Sequence, residues 1–250
     1  MENSLYSINS LVFWTEKELR IRRFIEQTFC EEIKTILLKE NQAWKFTQIE
    51  APCLIPHELV NQNYTKEDIF FIEKTSADEP QMVLKPETTP SSYVYAQYLL
   101  NNHMVQPPFV IWQTSKSFRR EQDQVIKNMR LKEFYQQEFQ CIYTKETLND
   151  YQEKVLEPIR KMFQDLIALP TRIVESDRLP SYSMRTMDIE VYNEDKWMEV
   201  CSISKRTDFP DKAKFTVKNN VVEKELIVLE IAIGVDRCLY NYVKRTELEK

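Results

Sequence analysis

Apolar residues between positions 15 and 40 recur at helical spacing. Leu19, Ile21, Phe24, Ile25, Phe29, Ile33, Ile36 and Leu37 trace the stripe of a long amphipathic helix, with charged residues between them. The pattern then shortens. Trp44 to Ile49 reads as a strand ended by Pro52 and Pro56, and Asp68–Ile72 and Met82–Lys85 read as a strand pair around the polar turn SADEPQ. A helix follows Pro90 through Tyr93, Tyr95, Ala96, Leu99 and Leu100. Phe109–Trp112 predicts a short strand and Phe134–Tyr143 another, with a polar loop from Gln122 to Asn128 between them. Glu146–Ile167 is a second long helical pattern, which Pro158 should kink or divide. The rest is mostly strand: Thr171–Glu175, Met187–Tyr192, Met198–Ser204, a hairpin at Asn219-Asn220 and Leu226–Ile233, before a last helix from Val235. Runs of strands with helices segregated between them predict an α+β fold, a largely antiparallel sheet flanked by helices, in one domain.

Composition narrows the function classes. With 250 residues, 42% of them hydrophobic and 29% charged, the chain can bury a core and reads as a soluble globular protein. No apolar run approaches the roughly 20 residues of a membrane span. The start, MENSLYSINS, lacks the basic-then-apolar order of a secretory leader, so the expected compartment is the cytoplasm. Five cysteines, Cys30, Cys53, Cys141, Cys201 and Cys238, never form C-x-x-C, which predicts reduced packing thiols and no zinc site. Two histidines, His57 and His103, leave little material for a Ser-His-Asp triad or a His-ligated metal. The net charge of −5 does not attract nucleic acid over the whole surface. Lys116, Arg119, Arg120, Lys127, Arg130 and Lys132 are nonetheless crowded into one stretch against only Glu121 and Asp123. Such a run is either a solvated face or, punctuated as it is by Phe118 and carboxylates, a shaped site. A single glycine, Gly234, stands where average usage would be roughly 7%.

Two segments carry candidate chemistry. In Leu226-Ile-Val-Leu-Glu-Ile-Ala-Ile-Gly-Val-Asp-Arg237 an apolar strand bears one carboxylate, Glu230, and passes into a helix through the lone glycine. A buried carboxylate costs several kcal/mol unless paired, so Glu230 needs either an internal arginine or a ligand cation. Gly234 would let backbone approach a ligand, and Arg237, in the first helical turn, could lie against an aromatic base. The second segment is Phe118-Arg-Arg-Glu121, a loop, then Arg130-Leu-Lys-Glu-Phe134 and Glu138. Alternation along a strand would put Arg119 and Glu121 on one face, and an arginine fork suits phosphate.

The second segment resembles motif 2 of class II aminoacyl-tRNA synthetases (F-R-x-E, a loop, R-x-x-E-F). LEIAIGVDR resembles motif 3, and IEAPCLIP resembles motif 1 with Pro52 as its proline. LKPETTP and the pair MDIEVY and MEVCSISKRTDF resemble segments of the glycyl subgroup. The similarity runs in order from about residue 15 to 245. It implies that Arg119 grips the ATP α-phosphate, Glu121 and Arg130 serve the nucleotide side, and Phe134 and Arg237 sandwich adenine. It further implies that Glu199 helps hold Mg2+, and that Glu87, Glu138 and Glu230 ring the ammonium of an amino acid, glycine in that subgroup. Catalysis would rest on Arg119, Glu121 and Arg237; Lys127 and Arg130 would touch the acceptor end of tRNA; and the long N-terminal helix and the motif 1 segment would make a homodimer. Ala232 stands where the subgroup has a serine in the glycine pocket, and Lys85 and Lys132 replace arginines. The expectation is a single catalytic domain over 1–250 without an anticodon-binding domain. It forms aminoacyl-adenylate for transfer to tRNA or another acceptor; the alternative is a non-catalytic paralogue acting as a dimeric binding subunit.

Overall fold

The computed structural model describes residues 7–8, 11–60, 64–74, 76–120, 129–145, 150–177, 181–209, 213–217 and 220–248. A small hairpin, β1 (Ser7–Ile8) and β2 (Leu11–Val12), precedes α1 (Glu16–Glu40), β3 (Lys45–Gln48), β4 (Leu54–Pro56) and a 3-10 turn (His57–Leu59). Next come β5 (Phe70–Phe71), β6 (Met82–Leu84), α2 (Thr89–Asn101), β7 (Phe109–Phe118), β8 (Glu133–Thr144) and α3 (Tyr151–Ile167). The chain then runs through β9 (Thr171–Glu175), β10 (Ser183–Asn193), β11 (Lys196–Arg206), β12 (Ala213–Val217), β13 (Asn220–Lys224), β14 (Leu226–Gly234) and α4 (Val235–Leu248).

Seven strands form the central sheet in the order β3-β7-β8-β14-β11-β10-β9. Every neighbouring pair is antiparallel except the edge pair β3–β7, which is parallel. β4, β6 and β5 make a separate three-stranded sheet, and β12–β13 a hairpin. Among the described residues no helix is long and apolar enough to cross a membrane.

Part of the expected stripe of α1 packs, while Phe24, counted in it, stays exposed. Ile25, Phe29, Ile33 and Leu37, four residues apart, are fully buried. Glu18 accepts hydrogen bonds from the Thr15 backbone amide and hydroxyl, which satisfies orphan donors at the helix start. With α3 and α4 this helix covers one face of the sheet.

Strand alternation decides what the other face is for. In β14, Ile227, Leu229, Ile231 and Ile233 all join the helix-side core. The intervening Leu226 and Val228 pack with Ala96, Leu99 and Leu100 of α2. Further along the same face Glu230, Ala232 and Gly234 line a cleft. β8 repeats the division, with Phe139, Cys141 and Tyr143 in the core and Phe134, Gln136 and Glu138 on the cleft. α2 covers only part of this face, and polar residues occupy the part left open.

Two local findings differ from the sequence expectation or explain it. Pro158 does not divide the second long helix: α3 is continuous from Tyr151 to Ile167. Its start is capped by the Asp150 side chain, which accepts from Gln152 N, and Tyr151, Val155, Ile159, Phe163 and Ile167 are fully buried. Pro158 lies on the exposed side, where the carbonyl it leaves unbonded can be solvated. The scarcity of glycine is met by other residues in left-handed backbone: His103, Met129, Ala168, Glu194 and Asp195 all have positive φ. Glu194 (48°) and Asp195 (63°) form the two-residue turn between β10 and β11, the geometry that elsewhere favours Asn-Gly. The Asn219-Asn220 turn falls partly outside the described residues; the strands on either side, β12 and β13, pair as expected.

Candidate active site

The open face of the sheet holds a cleft of about 280 Å3. Of the residues singled out from sequence, Arg119, Arg130, Phe134, Glu199, Arg237, Glu87, Glu138, Glu230 and Ala232 all line it. Glu121 and Lys127 lie outside the described residues. His57 packs its ring 5.1 Å from Phe71, away from the cleft, and His103 is exposed just after α2. The five cysteines are free thiols, all buried except the half-buried Cys53.

At one end stand the two predicted arginines. Arg119 follows the last residue of β7; its backbone amide continues the ladder to Lys132 O at 2.9 Å. Its Nε donates to Pro86 O at 3.0 Å, and its guanidinium lies 5.3 Å from the Phe134 ring centre and 5.6 Å from that of Tyr64. Burial opposes its charge, but Tyr64, Glu87 and Glu138 more than offset this and raise its pKa. Arg237, in the first turn of α4, donates from Nη1 to Glu199 O at 2.9 Å and lies 3.5 Å from the Glu199 carboxylate. Phe134 therefore faces Arg119 here, while Arg237 is held beside Glu199. Asp236, next to it, is buried and accepts from Trp14 Nε1 at 3.0 Å and Tyr135 N at 2.7 Å, which fixes the start of α4 against β8 and the segment before α1.

Gly234 is not required by backbone conformation, since its φ is not positive. A Cβ there would sit 3.6 Å from Arg237 Cδ, ordinary contact. Its consequence is a bare stretch of backbone at the cleft wall.

The other end is acidic, and the structure resolves the question of Glu230's partner in favour of an internal arginine. Glu230 Oε2 accepts from Thr89 Oγ1 (2.7 Å), Gln140 Nε2 (2.8 Å) and Arg206 Nη1 (2.7 Å). Arg206, 1% exposed, also grips Asp208 with Nε (3.0 Å) and Nη2 (2.7 Å), stacks 3.8 Å from the Tyr182 ring centre and approaches Glu87 Oε1 at 3.7 Å. Burial works against its charge, but Glu230 and Glu87 hold its pKa well above the ordinary arginine value. Glu87, 4% exposed, accepts from the Tyr64 hydroxyl at 3.2 Å, and its Oε1 has no hydrogen-bond donor among the described residues. Burial raises its pKa against the pull of Arg206. Glu138 accepts from the Thr88 and Thr89 hydroxyls at the start of α2, where the helix N-terminus favours negative charge. Burial, then Glu230 and Glu87, push its pKa up to about 8.

Sequence reading missed Arg206, Thr88, Thr89, Gln140, Tyr64 and Tyr182 as parts of this cluster. Arg206 was within reach: it ends a strand whose alternate residues Ser202 and Ser204 also line the cleft, and an arginine at that parity cannot join the apolar face. The tyrosines had no such signal.

Two carboxylates of the cleft could share a divalent cation. Glu199 and Asp188, on neighbouring strands, both line the cleft, and burial and then Glu199 raise the Asp188 pKa. Among the described residues no group of three or more His, Cys, Asp or Glu could hold a metal alone. Two carboxylates completed by ligand phosphates is the arrangement Mg2+ commonly takes.

A glycine–tRNA ligase of Mycoplasma capricolum is 28% identical over 235 residues, 88% of this chain and 48% of the relative. A glycine–tRNA ligase of Cutibacterium acnes is 31% identical over 133 residues, 50% of this chain and 28% of the relative. The chain thus spans at most about half the length of these curated relatives. Among solved structures, prolyl-tRNA synthetase of Cryptosporidium parvum with halofuginone and AMPPNP superposes with a TM-score of 0.74 at 15% identity, over 96% of this chain and 48% of that one. That likeness establishes the class II catalytic fold. The tRNA synthetase class II core domain (G, H, P, S and T) matches residues 70–245, from β5 through the start of α2, the β7–β8 ribbon and the β14–α4 junction, and the chain belongs to that family.

Proposed function

We propose that this chain activates an amino acid, glycine by preference, with ATP and passes the aminoacyl group to the 3′ end of tRNA or another acceptor. The observation that carries the reading is the convergence on one cleft of two arginines and an aromatic ring at one end and a buried acid cluster at the other. The arginine end suits a triphosphate; the acid end suits an ammonium. The glycine–tRNA ligase relatives support the choice of substrate. Ala232, in register with Glu138 on β8 and Ser202 on β11, leaves the floor of the pocket small.

In this reading the amino-acid carboxylate attacks the α-phosphorus in line, forming the acyl–phosphate bond as pyrophosphate leaves. The nucleophile is already ionised, so no general base is needed. Arg119 neutralises the α-phosphate, Arg237 adds positive charge beside the phosphates, and Phe134 and Arg237 hold the base between them. Mg2+, held by Glu199 with Asp188, would add positive charge beside the leaving group. Glu121 would help fix the nucleotide, and Lys127 and Arg130 would meet the acceptor end of tRNA. Arg130, exposed at the cleft, and the long α1 with its exposed Phe24 support the tRNA contact and a homodimer respectively.

Magnesium-dependent ATP–pyrophosphate exchange tests the reading. Glycine should stimulate it, and Arg119→Ala should reduce it by about a hundredfold or more with the fold intact. No exchange with any of the common amino acids would replace the ligase with a non-catalytic binding subunit.

A further inference from the structure

We propose that Gln113, buried on β7 beneath the cleft, is a positioning residue: it anchors the start of α2, and the anchored helix start sets the geometry of the acid end. This rests on the amino-acid-binding reading above, and Gln113 itself does not line the cleft. It follows the apolar run Phe109-Val-Ile-Trp112 that opens β7 and is 0% exposed. A buried amide must find partners for both its carbonyl and its NH2 group. The Gln113 Oε1 accepts from Ala51 N at 3.3 Å, and its Nε2 donates to Thr88 O at 3.2 Å and to Ser92 Oγ at 2.9 Å. A flipped amide would set Nε2 against the Ala51 N–H and Oε1 against the Thr88 carbonyl, so one orientation alone fits. Ala51 is pinned from its other side as well. Lys85, also 0% exposed, donates from Nζ to Ala51 O at 3.1 Å and to Ser115 Oγ at 2.8 Å.

The start of α2 needs such an external hold. A threonine ahead of a helix ordinarily turns its side-chain oxygen back on the first free amides. Thr88 does not cap α2 in this way: its hydroxyl donates to Glu138, and the Thr89 hydroxyl donates to Glu230 at 2.7 Å. Glu87, one residue earlier, faces Arg206 at 3.7 Å. Three consecutive residues are thus turned toward the acid cluster. Gln113 supplies the anchor that the helix forgoes, because Thr88 O also accepts from Ser92 N at 3.3 Å and so opens the helical ladder. On the sheet Gln113 stands directly across from Glu138, which puts the amide and the acid on one face beneath α2. Without the amide the two threonine hydroxyls lose their fixed place, and the acids they orient lose theirs.

Two measurements on the full chain test this. Gln113→Leu keeps the bulk of the side chain but neither donor nor acceptor; Ser92→Ala removes one acceptor of Nε2 and disturbs packing less. In ATP–pyrophosphate exchange Gln113→Leu should raise the KM for glycine about tenfold. Ser92→Ala should raise it about twofold to threefold. The KM for ATP and kcat should stay within about twofold in both. Leu99→Ala, which loosens α2 far from its start, should leave the glycine KM unchanged. Amide hydrogen exchange of Gln113→Leu should show protection lost at Ala51 and Ser92 and kept at Asn102, whose amide bonds Tyr98 O at the far end of α2. Unchanged protection at Ala51 and Ser92 would overturn the inference alone. So would an unchanged glycine KM, an equal rise in the ATP KM, or a Leu99→Ala effect as large as that of Gln113→Leu. Wild-type protein that shows no exchange with any amino acid would overturn the function proposed above, and the role of Gln113 in it, even where the local loss of protection is seen.

Discussion

Arg206→Met is the sharpest single perturbation of this fold. Arg206 is 1% exposed and donates to Glu230 at 2.7 Å, to both oxygens of Asp208 at 3.0 and 2.7 Å and to Thr89 at 3.3 Å. Methionine fills much of the volume but leaves Glu230 buried without its ion-pair partner and Glu87 with only Arg119 to offset its charge. Removing one partner of a buried ion pair costs about 3–5 kcal/mol. For a domain of this size that lowers Tm by about 10–15 °C, a large part of an expected total stability of about 5–15 kcal/mol. The loss should depend on pH, and its sign can be worked out. Burial already raises the Glu87 pKa against the pull of Arg206, and without the guanidinium it rises further above its unfolded value near 4. A raised acid favours the folded state only below its unfolded pKa, and that contribution is lost as pH rises through the folded pKa. The variant should therefore be weakest at about pH 8 and recover toward wild type at about pH 5. Urea unfolding of both proteins at the two pH values reads this directly, and adding Glu230→Gln to the variant should restore part of the loss. A loss under about 1 kcal/mol at the higher pH, or an equal loss at both, would refute the view that Arg206 neutralises a buried acid cluster.

Three further outcomes follow from particular contacts. Pro158→Ala should stabilise the protein by about 1–3 kcal/mol, because it restores an amide donor at an exposed position inside α3; a urea midpoint that does not rise would mean packing fixes the helix there regardless. Asp195→Gly should add about 1 kcal/mol by relieving the left-handed backbone of the β10–β11 turn, and a loss in thermal unfolding would contradict the turn geometry. Trp14→Phe removes the donor 3.0 Å from the buried Asp236 carboxylate and should lower stability by about 2 kcal/mol. An unchanged unfolding curve would mean that water replaces the indole.

The chemistry-bearing segments were legible because they combine residues that ordinary packing would not place together. An acid in the apolar run of β14, an arginine closing β7 and a lone glycine at a strand-to-helix junction each need an explanation beyond burial. Helices were legible from their apolar stripes, although α3 shows the limit of a local rule. A proline forbids one hydrogen bond, and the buried side of that helix outweighs the loss.

Element order, the class of fold and the strand residues that avoid the apolar face can all be read along the chain, because alternation and helical period are local properties of it. Which polar residues meet is settled by packing between distant segments. Glu230 and Arg206 lie on neighbouring strands, and Thr88 and Thr89 reach Glu138 and Glu230 from the start of a helix far away in the chain. Strand order, register and the reach of α2 over the sheet set those encounters. Each depends on how many separate segments pack at once, and no local spacing of residues encodes that.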